Sequence, residues 1–315
     1  MLRYILLRVL FMIVTLIFVL TILYFGLNMV QLSNFGPRPK IPFPDNFYMV
    51  SEGYFEYIKG IVTKWDFGET QHGNDLWEEF LYRAPITLRI AFSTLFVFVV
   101  AGLLLGFISA IKQHTLIDQV IGMVTMIFGS IPPFILMFPL VVVLGYRLEW
   151  LPYRGGTSTD PLSHQLLSLV IPIVALSGPA IAQLSRLLRG ELVEATNSDF
   201  MVLARAKGLS TKQAFFKHAL RNSMVPILPE IPSLFIVVLM NAFFIERVYR
   251  LNGMANWFLN SMYSSFLDSG YFYIYAPTAI LISMFYTAIT LITLMVSDIL
   301  FVIVDPRISL GKRKT

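Results

Sequence analysis

Apolar residues along this chain gather into six long blocks, residues 5–30, 86–111, 119–144, 166–188, 224–245 and 276–304. About 20 residues of helix cross roughly 30 Å of hydrocarbon, so each block meets or approaches the length of a membrane span. The pattern predicts an all-α, polytopic membrane protein with six transmembrane helices. The third block contains Pro132, Pro133 and Pro139, which predict a kink. The fifth contains Pro226, Pro229 and Pro232, so its first turns are expected to depart from regular helix and leave carbonyls unpaired near the cytoplasmic mouth. Irregular backbone survives at membrane depth only where protein or a water-filled cavity faces it. Pro226, Pro229, Glu230 and Pro232 are therefore candidates for a pathway or gate.

The segments between the blocks are uneven. Residues 31–85 are too polar to span. Within them, apolar residues recur at positions 54, 57, 58, 61, 62 and 65, an amphipathic helix with Tyr and Trp suited to an interface. This divides the chain into a first span (1–30), an outer segment (31–85) and a core of five spans (86–315). Within that core, residues 190–223 form a second long polar segment with its own punctuation. Asn197, Ser198 and Asp199 are all good N-caps. Phe200 to Lys207 makes about two turns. Gly208 suits the left-handed position that ends a helix, and Leu209 the apolar contact after it. Ser210-Thr211-Lys212-Gln213 reads as a capping box opening a second helix that leads into the fifth block. A short helix, a sharp turn and a longer helix make a rigid surface rather than a tether.

Composition supports this picture. Of 315 residues, 56% are hydrophobic and only 14% charged, with mean hydropathy +0.70. A soluble domain carries about 25% charged residues. The pI near 9.3 raises the question of nucleic acid, but the basic residues flank apolar blocks. With the N-terminus inside, the cytoplasmic segments carry net +9 and the outer ones net −2. That bias predicts both termini inside. The basic opening, Met1-Leu2-Arg3, is followed by an apolar run far longer than the roughly 7–15 residues of a cleavable signal. It is expected to stay as the first span.

Catalytic chemistry finds little support. With no cysteine there is no disulfide framework and no thiolate ligand. No His-Glu-x-x-His, Gly-x-Ser-x-Gly or phosphate-binding Gly-x-x-x-x-Gly-Lys-[Ser/Thr] occurs. The four histidines, His72, His114, His164 and His218, fall in loops or near interfaces. A secondary transporter is the main alternative. It would call for ionisable residues near mid-membrane and an internal repeat, and only Glu230 and Asp298 lie as acids within blocks. Glu230 is expected to pair with Arg221 or Lys217, or to serve the gate. The aromatics Tyr263, Phe266, Tyr271, Phe272, Tyr273 and Tyr275 form an interfacial belt or a surface for an external partner.

Ala204-Arg205-Ala206-Lys207-Gly208-Leu209, with His218-Ala219-Leu220-Arg221-Asn222 and Pro226, resembles the cytoplasmic loop of ABC importer permeases of the oligopeptide/dipeptide/nickel class. Met1 to Ile5, Lys64 to Gly68, Arg83 to Leu88, Glu246 to Met254, and Asp298 with Asp305-Pro306-Arg307 resemble further elements of that class. The layout is similar to the first of its two permease subunits. The resemblance implies the type I-like permease fold and a non-catalytic subunit forming half of a pathway for peptides or another small solute. It implies as partners a second permease, two ATPase subunits that consume ATP, an extracytoplasmic binding protein and the lipid of a bacterial or archaeal cell membrane. It implies no cofactor on this chain and no nucleic acid. It assigns ATPase coupling to Phe200, Ala204, Arg205, Ala206, Lys207, Gly208 and Leu209, with Ala204 and Ala206 permitting close approach. Two departures stand out. A Pro-Gly-Asp-Pro element after the first span is replaced by Ser33 to Pro39. The small-residue stretch of the fifth span reads Ile231-Pro232-Ser233-Leu234-Phe235-Ile236-Val237-Val238, which is expected to alter the pathway's width.

Overall fold

The computed structural model describes residues 2–32, 45–70, 72–157, 159–263 and 275–304. The stretch Ser33 to Pro39, Gln71, Phe266, Tyr271, Phe272, Tyr273 and Asp305-Pro306-Arg307 lie outside the described residues, as does the Tyr263 side chain. Every regular element among the described residues is helical: α1 (Leu2–Leu32), α2 (Asp45–Lys64), α3 (Leu76–Ile111), α4 (Leu116–Ser130), α5 (Pro133–Leu140), α6 (Leu162–Leu167), α7 (Val170–Thr196), α8 (Asp199–Ala206), α9 (Thr211–Ala214), α10 (Leu220–Val248), α11 (Met254–Tyr263) and α12 (Ala276–Val304). Two π-helical turns, Val141–Arg147 and Phe215–Ala219, follow α5 and α9.

Among the described residues, five stretches are long and apolar enough to cross a membrane: Ile5–Val30, Leu76–Ile111, Leu162–Thr196, Thr211–Val248 and Ala276–Ile303. The expected third span is instead two pieces, Leu116–Ser130 and Pro133–Arg147, bent by 105°. Counted as one broken span, the pair makes six. Pro132 and Pro133 account for the break. A residue before proline is pushed out of the helical region, and Ile131 is extended (φ −98°, ψ 122°).

The chain divides into two compact units, one comprising residues 1–88 and 250–292, the other 89–249 and 293–315. In the first, α2 lies against α1 through aromatic side chains. The Tyr54 hydroxyl is 2.7 Å from Thr21 Oγ1, and the Tyr24 ring packs on Tyr54 and Tyr57. No described side chain of α1 is buried, as suits a span that faces lipid. The predicted amphipathic face of α2 is half-buried at Tyr54, Tyr57, Ile58 and Ile61, whereas Val62 and Trp65 are exposed. Trp65 has already left the helix in a left-handed conformation (φ 57°). It joins an aromatic ladder with Phe67, Trp77 and Phe80. The unit's core joins Leu76 and Ala84 to Met254, Trp257, Leu281 and Ile282.

In the second unit the core is Phe98, Ala180, Leu184, Leu188, Leu192, Ile227, Leu234 and Val238, from α3, α7 and α10. Lipid tails are as apolar as these side chains, so close backbone packing rather than hydrophobicity must hold spans together. Glycine provides it. A Cβ on Gly106 would meet the Ser185 carbonyl oxygen at 2.7 Å, and one on Gly129 would meet Ala182 and the Arg186 guanidinium at 3.2 Å. The bulk of Leu234, Phe235 and Val238, expected to alter the pathway's width, fills the chain's own interior. Ser233 and Val237 carry the outward face instead.

Outside the spans, the loop before α6 is fastened by Asp160. Its carboxylate accepts from both Arg154 terminal nitrogens (3.0 and 3.2 Å) and from the Thr157 amide (2.8 Å). The Arg154 guanidinium, with help from Thr157, holds this carboxyl well below the usual carboxylate range.

Candidate functional site

The segment between α7 and α10 has the punctuation its sequence predicts. Ser198 is the N-cap residue of α8. Its hydroxyl, however, donates back to the Ala195 carbonyl (2.6 Å) and does not cap the new helix. The far end closes as a Schellman motif. The Gly208 amide donates to the Arg205 carbonyl (2.9 Å) and the Leu209 amide to the Ala204 carbonyl (3.3 Å). Gly208 has φ +90°, a conformation that glycine alone adopts without steric cost. Two residues on, the capping box forms in both directions. The Gln213 amide donates to Ser210 Oγ (3.3 Å), and the Ser210 amide donates to Gln213 Oε1 (3.1 Å).

Packing then decides which residues can meet another molecule. Ala195, Met201, Ala204, Ala214 and Ala219 form a small buried core, with Leu209 and Phe215 packed against it. Ala204 is only 6% exposed. It permits close approach, but of α8 to its own chain. Helical spacing places residues 201 and 204 on one face, and the alanine core lies on that side. The outward face carries Phe200, Val202, Leu203, Arg205, Ala206 and Lys207. Val202 and Leu203 are each 57% exposed, large apolar side chains at the end of a basic segment.

The proline-rich start of the fifth span differs from expectation. α10 runs without interruption from Leu220 to Val248 with Pro226, Pro229 and Pro232 inside it. The prolines deprive the carbonyls of Asn222, Val225 and Leu228 of their usual donors without ending the helix. The Pro229 carbonyl, which is not one of these three, accepts from the Ser297 hydroxyl of α12 at 3.2 Å. The irregularity sits one turn upstream, in the π-helical turn Phe215–Ala219, which contains no proline. Such turns often mark functional positions. Glu230 pairs with neither Arg221 nor Lys217. Its Oε1 accepts from Gln183 Nε2 of α7 at 2.9 Å. Pro232 is buried, and Pro226, Pro229 and Glu230 are half-buried.

One constellation has no counterpart in the sequence reading. Asp118, buried in the first turn of α4, accepts from Arg189 Nε (2.6 Å) and Nη2 (2.7 Å). It also accepts from the His114 amide (3.0 Å) and from the Ser109 hydroxyl. Asp118 and Arg189 lie 71 positions apart in sequence. In sequence both are simply charges of the segments that carry net +9.

Residues 102–310 match the family described as binding-protein-dependent transport system inner membrane component. The dipeptide transport system permease protein DppB of Lactococcus lactis is 28% identical over 98% of this chain and 100% of its own length. The oligopeptide transport system permease protein OppB of Salmonella typhimurium is 30% identical over 98% and 99%. DppB of Bacillus subtilis is 30% identical over 82% and 80%. Among solved structures, a chain of the MetNI methionine ABC transporter in an inward-facing conformation superposes with TM-score 0.54. It covers 72% of this chain and 96% of its own length at 17% identity, a likeness of fold alone. The helical architecture and these matches agree, and the chain belongs to the family of binding-protein-dependent transport system inner membrane components, as a permease subunit of an ABC importer.

Proposed function

We propose that this chain forms half of the translocation pathway of a peptide importer and that α8 docks into a groove on an ATPase subunit. The observation that carries the docking is the split character of α8. One face is fixed to an alanine core and closed by a Schellman motif, while the other presents Phe200, Val202, Leu203, Arg205 and Lys207 outward. The names of the DppB and OppB relatives support peptides as the substrate class. The full assembly would hold a second permease, two ATPase subunits and an extracytoplasmic binding protein in a bacterial or archaeal cell membrane. ATP would be consumed by the partner subunits, with none bound by this chain, and both termini would lie inside.

Affinity purification in mild detergent tests the assembly. The ATPase subunits should co-elute, whereas a secondary transporter would emerge alone or as a homo-oligomer. Leu203→Asp places a charge where an apolar contact is proposed. It should reduce recovery of the ATPase subunits by about tenfold or more, the equivalent of about 1.4 kcal/mol, with unchanged membrane abundance. Unchanged recovery would remove α8 as the docking element.

Glu230 and the three prolines stay as pathway candidates. Glu230→Gln removes the charge and keeps a carbonyl oxygen for Gln183. The complex should assemble at normal levels and take up peptide several-fold more slowly, as a radiolabelled peptide assay would show. Wild-type uptake would reduce Glu230 to a helix–helix contact.

A further inference from the structure

We propose that Asp118 and Arg189 are positioning residues for coupling: their ion pair is a rigid joint that makes the cytoplasmic ends of α3 and α4 move with the docking helix. The inference rests on the reading of α8 as that helix. Four observations carry it. Arg189 lies about two turns before the end of α7, and α8 begins three residues after α7 stops, at Asp199. The Asp118 side chain is 8% exposed and accepts both Arg189 bonds, a bidentate geometry that fixes orientation as well as distance. The same carboxylate accepts from Ser109, near the end of α3, and from the His114 amide in the turn joining α3 to α4. That turn is sharp, with His114 itself left-handed at φ 63°. One carboxylate thus ties three helix ends at a single point.

The surrounding packing gives the joint little room to slide. On the α3 side, Gly106 brings its backbone against Ser185 and Leu188 of α7. On the α4 side, Gly129 sits against Ala182 and Arg186. Close-packed contacts of this kind hold discrete arrangements and transmit displacement. A push on α8 therefore reaches α7 through a two-residue link, Asn197 and Ser198, and reaches α3 and α4 through Asp118. Simple helix stabilisation would require no donors from three separate elements.

The test uses the whole complex, with spin labels on cysteines replacing Leu116 at the start of α4 and Asn197 between α7 and α8, both exposed. Distances are measured without nucleotide and with a non-hydrolysable ATP analogue. In the otherwise wild-type chain the distance should be the same in both states, because the two ends move together. With Asp118→Asn it should match wild type without nucleotide, then shift or broaden by several ångströms with the analogue. ATP hydrolysed per peptide transported should rise about tenfold, while the ATPase subunits still co-purify. Arg189→Lys, which cannot bond in the same bidentate way, should repeat the result and carries the test if Asp118→Asn fails to accumulate. Three results would overturn the joint: a wild-type distance that changes with nucleotide, a variant distance that does not, or broadening already present without nucleotide, which marks local packing only. Failure of the docking reading registers separately, as unchanged ATPase recovery in Leu203→Asp.

Discussion

Replacing Gly208 by Val is expected to cost the complex its ATPase subunits and its transport while leaving the chain inserted in the membrane. Nothing lies within 4 Å of the position a Cβ would take there, so crowding is not the reason. The reason is the backbone. Gly208 holds φ +90°, and a β-branched residue is a strong outlier at positive φ. Holding a residue in such a region costs about 1–3 kcal/mol. The Schellman bonds to Arg205 and Ala204 depend on that conformation. Their loss would free the angle between α8 and α9 and detach Leu209 from the alanine core. Asn, which tolerates the left-handed region far better, makes the control. Gly208→Asn should retain most ATPase recovery and uptake, and Gly208→Val should lose about tenfold or more of both at equal membrane abundance. Equal behaviour of the two variants would show that the turn's conformation does not matter to coupling.

The second large effect is expected at Gly106, for the opposite reason. Its backbone angle is ordinary, but a Cβ would stand 2.7 Å from the Ser185 carbonyl oxygen and 3.0 Å from Leu188 Cβ. The nearer atom is backbone and cannot rotate away, so α3 and α7 must separate. Overpacking of this kind costs about 1–3 kcal/mol, occasionally more. Gly106→Ala should therefore lower membrane abundance and the unfolding temperature in detergent. Gly122→Ala is the matched control, since Gly122 is also helical and has nothing within 4 Å. That change should be neutral or stabilising by up to about 1 kcal/mol through helix propensity. If Gly106→Ala were as stable as Gly122→Ala, the close approach of α3 to α7 would not be what holds this unit together.

Much of the fold was legible because membrane spans are written locally. Length, apolarity and the Pro132-Pro133 pair place the helices and the broken span without reference to distant residues. Gly208 and the capping box were legible for the same reason, since each is a rule about neighbours in sequence. Three features were hidden because they depend on partners far along the chain. Ala204 reads as a small residue, and only the packing of residues 195, 214 and 219 shows that it faces inward. Glu230 has basic residues near it in sequence, yet its partner Gln183 is 47 positions away. Asp118 and Arg189 looked like loop charges. A buried carboxylate with four donors has no local signature. The three prolines of α10 misled because the rule that proline breaks helices is written for isolated helices in water. In a packed span, contacts with neighbouring helices hold a proline-containing helix together, and the Ser297 hydroxyl on the Pro229 carbonyl is one such contact.

The division of α8 into two faces has a consequence for how such importers diversify. The residues that mount the helix, Met201 and Ala204 with the closing Gly208 and Leu209, share no position with those that look outward. On the proposed docking, the mount could stay constant while the outward face changes to suit a different motor. The segment would then serve as an interchangeable plug on a fixed socket, and a change of ATPase partner need not disturb the spans.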